Sequence, residues 1–325
     1  MHPAFSVVFL TTLIGAGQGL FLALFTVESY AAFGLLPAQA SSFYAIGSAI
    51  ALILLGLGLF ASFFHLGHPE RAWRAATKWR TSWLSREVIV LPAFMGTVFL
   101  YGIAHWFGIN PVLAELPSGA PVNITAVLGT LGTMLAFALY ICTAMIYACL
   151  RFLREWHTPL TVINYILLGG ASGFTLAAAL AATEASEVMP LLASWALIIT
   201  ALGLIGRAAT LIRNARLKPK STLQTAIGIK HPKIVQKTQG MMGGAFNTRE
   251  FFHGQSAALL RSLKWIFLLT AFLIPLGLLS MGLSLAAGGM LLLAFVVQYF
   301  GLLAERWFFF AQANHPQNLY YQSVA

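Results

Sequence analysis

Long apolar runs alternate with polar connections along the whole chain. Runs long enough to cross a bilayer fall at about 5–27, 41–66, 88–108, 122–150, 159–182, 189–212, 265–284 and 287–310. A membrane helix needs roughly 20 consecutive apolar residues, so the pattern predicts an all-α integral membrane protein with eight transmembrane helices. The connections on one side, near 28–40, 109–121, 183–188 and 285–286, are short. On the other side 67–87 and 213–264 are long, and 151–158 is short. Long loops on one face only are where docking and function concentrate. The chain therefore reads as a single polytopic domain, 1–325, with 213–264 as its docking loop.

Charge gives the pattern an orientation. All 19 Lys and Arg residues fall on the side that holds the N-terminus, whereas the opposite side holds Glu28, Glu115, Glu184 and Glu187 and no base. The positive-inside rule then places both termini in the cytoplasm. Hydrophobic residues make up 59% of the chain and charged residues 9%, against roughly 25% charged in a soluble domain. Eight spans leave no room for a separate soluble enzyme. The net charge of +10 borders the spans, so it points to anionic lipid and an acidic partner face, not to nucleic acid. Met1-His2-Pro3 lacks the basic region of a secretory signal, so the first run reads as a retained helix.

The loops carry more than solvating residues. In 213–264, Lys230-His231-Pro232-Lys233 precedes Gln239-Gly240-Met241-Met242-Gly243-Gly244 and Asn247-Thr248-Arg249-Glu250-Phe251-Phe252. Asn247 and Glu250 have capping-box spacing, with Asn in place of Ser or Thr. In the first span, Gly15 and Gly19 form a small-xxx-small pair, which lets helices approach closely. Asn123-Ile124-Thr125 matches a glycosylation sequon but abuts a span and carries no weight.

The densest polar stretch is His65-Leu66-Gly67-His68-Pro69-Glu70-Arg71-Ala72-Trp73-Arg74, continuing to Trp83-Leu84-Ser85-Arg86-Glu87. His65 ends the second span and Glu87 begins the third, so both are expected at the cytoplasmic rim. Ionisable groups at that depth are costly unless they pair or function. Two readings stand side by side. In one, His65 caps its helix and Glu87 pairs with Arg86 or Arg71. In the other, His65 and Glu87 bind the oxygens or handle the protons of a quinone headgroup. Spacing alone favours the first. Gln18, inside the first span, is open to the same pair of readings, a helix contact or a ligand contact.

Metal cofactors are not expected in this chain. A b-type haem takes axial histidines at matching depth, and none of the eight histidines is mid-span; His105 falls at the far side from His65. Cys142 and Cys149 are two thiols on one helical face, and an iron–sulfur cluster takes four. His65 and His68 lack further ligands at metal-binding spacing.

His65-Leu66-Gly67 with Pro69, Arg71 and Ala72, then Ser85-Arg86-Glu87, resembles the membrane-anchor subunit of the dimethyl sulfoxide reductase family. The span count and loop order agree over nearly the whole chain. The stretch from Lys233 to Gly254, the ending Ala304-Glu305-Arg306-Trp307-Phe308-Phe309-Phe310 and the following Asn318-Leu319-Tyr320-Tyr321 look like the branch found with sulfite-oxidising enzymes. The resemblance implies a subunit without redox metal and without activity alone. It would anchor an iron–sulfur subunit with four clusters and a molybdopterin catalytic subunit. It would also bind quinone, ubiquinone or menaquinone, near the iron–sulfur partner.

His65 and Glu87 match the family's quinone-site residues, and the resemblance lifts the quinone reading above the bland one. Arg71 and Arg86 would then hold Glu87 ionised or steer the headgroup. Trp73, Trp79, Phe251 and Phe252 would be apolar docking anchors. Because the basic loops should face the cytoplasm, the partners are expected on that side of a bacterial inner membrane, with electrons passing from sulfite to quinone. The alternatives are a sulfoxide reductase anchor oxidising menaquinol and a purely structural anchor. A transporter is disfavoured because the spans read as nearly free of charge at mid-depth.

Overall fold

The structure, a computed structural model, describes residues 1–115, 121–218, 221–235, 237 and 250–319. The Asn247 capping box, Gly243-Gly244 and Tyr320-Tyr321 lie outside those residues. Among the described residues, eight helices are long and apolar enough to cross a membrane: Phe5–Ala32, Ser41–His65, Trp83–Trp106, Ile124–Ala148, Pro159–Glu184, Met189–Ala215, Ala257–Ser284 and Gly288–Ala311. They are called the first to eighth spans below. Between the third and fourth spans, Val112–Glu115 pairs with Pro121–Asn123 as a two-stranded antiparallel hairpin. The backbone after the third span turns through Gly108, whose φ of 66° suits a residue without Cβ.

The spans form two rings of four. The first four pack in cyclic order, and so do the last four, with the first span joined to the fifth and eighth. Glycine makes the central joint possible. A Cβ on Gly19 would lie 2.3 Å from the Gly169 carbonyl oxygen, and one on Gly173 would lie 2.1 Å from the Gly19 carbonyl carbon. Gly15 meets Gly169 at the same crossing. The Gly15/Gly19 pair thus lets the first and fifth backbones touch, as its spacing predicts.

Several helix ends follow from their local sequence. Ser82, Thr158 and Ser256 accept from the amides of Ser85, Leu160 and Leu259 and so cap the third, fifth and seventh spans. Within the seventh span, Leu269–Leu273 forms a π turn just before Pro275. Pro275 has no N–H to give the Ala271 carbonyl four residues back. That oxygen instead lies 3.4 Å from Gln298 Nε2 of the eighth span. Gly301 packs beside it, where a Cβ would stand 2.3 Å from the Ala271 nitrogen.

Charge inside the bundle is the main departure from the sequence expectation. Arg207, Glu305 and Arg306 are buried among the sixth and eighth spans, and Glu28 lies within the first span, not in the loop after it. Two of the bases assigned to the docking side are therefore internal. Each of these groups sits within about three turns of a helix end, where apolar neighbours mask it in a running average of hydropathy.

Candidate functional site

Glu87 lies in the second turn of the third span, on the face turned into the bundle, and is 8% exposed. Its carboxylate accepts a hydrogen bond from the Thr143 hydroxyl of the fourth span. Among the described residues it forms no ion pair. Beside it is a small void of about 30 Å³, lined also by Thr11, Gln18, Tyr140, Tyr165 and Arg306. This is room for about one water molecule, and a quinone ring does not fit inside it.

The walls of the void are fixed by long-range contacts. Gln18 Nε2 donates to the Ala136 carbonyl at 2.8 Å, and the Tyr140 hydroxyl donates to the Gly15 carbonyl at 2.8 Å. Both join the first span to the fourth, next to the glycine crossing. Gln18 therefore makes the helix contact that was one of its two readings, while also lining the void.

Arg306 also lines the void. Its guanidinium lies over the Tyr165 ring at 4.3 Å and its Nε donates to Glu305 at 2.5 Å. Glu305 also meets Arg207 Nε at 2.7 Å. Two cations thus share one buried carboxylate, with Arg207 further held over Phe267 and Phe308 at 5.4 and 5.8 Å. The sequence reasoning missed this cluster. The signal available was an ionisable Glu305-Arg306 pair inside the apolar run 287–310.

The other residues singled out in the sequence stand apart from the void. His65 ends a short 3₁₀ turn, Phe63–His65, is exposed, and does not line the void. Arg86 donates to the Trp79 and Arg80 carbonyls, both at 2.9 Å, and lies over the Trp83 ring at 4.1 Å. Arg71 pairs at 3.6 Å with Glu70, which also meets His68. Neither arginine forms an ion pair with Glu87, so the expectation that they hold its charge has no direct contact behind it. The physical reason is geometric. Residues 86 and 87 diverge by about 100° on a helix, and Arg86 turns back over the loop while Glu87 turns inward.

Trp73 and Trp79 are exposed on the loop before the third span. Phe251 instead stacks on His315 with ring centroids 3.6 Å apart, and it is only partly exposed. The aromatic ending of the eighth span is packed inward as well. Trp156 Nε1 donates to the Phe309 carbonyl at 2.9 Å, and the two rings stack at 5.3 Å.

At the far end of the first span a second polar group is assembled. Glu28 accepts from Tyr101 at 2.6 Å and from Thr125 at 2.5 Å, and His105 stands 3.6 Å away. Among the described residues, no cluster of three or more His, Cys, Asp or Glu has metal-holding geometry.

Comparison with known proteins agrees with this architecture. The chain is 59% identical over 325 residues, all of both chains, to a sulfite dehydrogenase subunit of Allochromatium vinosum. The family described as DMSO reductase anchor subunit (DmsC) matches residues 1–311. With eight membrane-crossing helices and that match over nearly its whole length, the chain belongs to the DMSO reductase anchor subunit family.

Proposed function

We propose that this chain anchors a four-cluster iron–sulfur subunit and a molybdopterin subunit at the cytoplasmic face of a bacterial inner membrane and delivers their electrons to quinone. The observation that carries the reading is Glu87, a carboxyl without a cationic partner among the described residues, inside the bundle in the second turn after the basic loop. A lone ionisable group at that depth is costly unless it serves proton exchange. The quinone head would lie at the rim between His65 and Glu87, where the partner subunit completes the enclosure. His65 would hydrogen-bond one quinone oxygen. Glu87 would pass protons, with a water in the void and the Thr143 hydroxyl as its local contacts. Arg71 and Arg86 would act from the rim, on the headgroup's approach and on the partner's acidic face.

The full-length likeness to a sulfite dehydrogenase subunit supports sulfite as the electron source. Oxidation of sulfite and water to sulfate releases two electrons and two protons. Quinone takes up two of each to become quinol. The N- and C-termini, the loop between the second and third spans and residues 213–256 would then share the cytoplasmic side.

The decisive experiment compares two activities of the purified complex carrying E87Q. Sulfite oxidation with a water-soluble dye should be retained, while sulfite oxidation with quinone should fall. Equal retention of both would leave a purely structural anchor. The orientation is tested by K233C, which should react with an impermeant thiol reagent only after the cells are opened.

A further inference from the structure

A large cavity lies on the side away from the basic loops. It has a volume of about 950 Å³ and sits where the first four spans meet the hairpin. That size matches ordinary small-molecule sites, which run from about 300 to 1,000 Å³. Its walls are apolar, with Phe25, Leu131 and Met134 along one side. Its inner end is polar and built from four elements. Glu28 comes from the first span, Tyr44 from the second, His105 from the third, and Asn123 from the hairpin strand leading into the fourth.

Two atoms at that end complete no hydrogen bond among the described residues, although His105 Nε2 stands 3.6 Å from the Glu28 carboxylate. His105 is 7% exposed, and its Nε2 completes no hydrogen bond; Asn123 Oδ1 is likewise shut from solvent and unsatisfied. An unsatisfied buried polar atom is destabilising, so a ligand that meets both is stabilised there. The His105 ring is held in place by stacking on Tyr44, with centroids 4.5 Å apart.

Charge narrows the ligand. Among the described residues Glu28 is the only carboxylate in the lining, it already accepts from Tyr101 and Thr125, and no Lys or Arg lines the cavity. A net-anionic head would bring a second negative charge beside Glu28 with no Lys or Arg in the lining to meet it. A neutral head with hydrogen-bonding oxygens suits the site, and the apolar side suits a hydrocarbon tail.

The geometry points to a second binding site, in the opposite leaflet, for a neutral lipid-soluble headgroup of the quinone class, held by His105 and Asn123 with its tail along Leu131 and Met134. The site is independent of the Glu87 reading, because it shares no lining residue with the void beside Glu87.

The test counts quinone and phospholipid extracted from the purified complex carrying M134W, H105L or E87Q. Met134 is 60% exposed, so an indole there narrows the tail groove without disturbing packed side chains. M134W and H105L should each reduce retained quinone by half or more and leave phospholipid unchanged. E87Q should keep the quinone that M134W removes. Undiminished quinone in M134W overturns the proposal, and so does loss of phospholipid in place of quinone. If H105L fails to assemble, M134W decides alone. A failure of E87Q to slow quinone reduction would sink the proposed function and leave this count untouched.

Discussion

Arg207 and Glu305 meet at 2.7 Å in a place almost sealed from solvent, at 1% and 0% side-chain exposure, and Glu305 simultaneously holds Arg306. The three residues fasten the sixth span to the eighth. Breaking a buried pair from one side strands a charge and costs about 3–5 kcal/mol. E305Q strands two guanidinium groups and should lower the thermal midpoint of the detergent-solubilised protein more than R207M, which strands none. A larger effect for R207M would show that its packing over Phe267 and Phe308 outweighs the ion pair.

The Thr143 hydrogen bond to Glu87 separates orientation from chemistry. E87Q should reduce quinone turnover by about 10²-fold or more, within the usual range for removing a proton-transfer group. T143V should reduce it by less than about tenfold, since it removes only a neutral contact. Stopped-flow quinone reduction by sulfite-reduced complex measures both. Equal losses would make Thr143 part of the proton path.

The crossing of the first and fifth spans admits no side chain. G173A puts a methyl 2.1 Å from the Gly19 backbone and should destabilise by about 1–3 kcal/mol, the usual cost of overpacking. Gly277 is the control: nothing lies within 4 Å of its Cβ position, so G277A should be neutral or stabilising. Thermal unfolding of the two variants side by side checks the difference.

The last part of the docking loop should respond to acid. Burial, followed by the charge of the N-terminal amine, holds His315 below the ordinary histidine range. Burial first, then the same amine, does so for His253. A folded-state value below the unfolded one means that the opened form binds more protons. The stabilisation is present above about pH 6.5, the ordinary value, and fades as the pH falls below it. Amide exchange across 251–255, corrected for its intrinsic pH dependence, should therefore accelerate as the pH falls below about 6.5, the ordinary histidine value. H315Q should flatten that response.

The helices were legible because twenty-residue apolar runs have few other uses, and Gly15 with Gly19 announced a close backbone approach. Glu87 stood out as a carboxyl at a span edge. Its partner did not, because Thr143 is 56 positions away and only the packing of the third span on the fourth brings them together. The internal arginines were hidden for a related reason: orientation rules assign each base to the nearer face, and Arg207 and Arg306, although inside the runs 189–212 and 287–310, fall near their ends. His65 and Glu87 look like neighbours in the sequence pattern, yet one faces out at the rim and the other inward.

The π turn at Leu269–Leu273 has a consequence for how this span tolerates change. It carries one residue more than an ordinary helix would use over that rise, so every position beyond Leu273 is rotated by about 100° from an unbroken helix. Deleting a single residue there would leave the hydropathy profile nearly untouched. It would also swing Leu279 and Gly282 away from the eighth span, and a chain that still looked membrane-compatible on paper would lose its fit along an entire helix face.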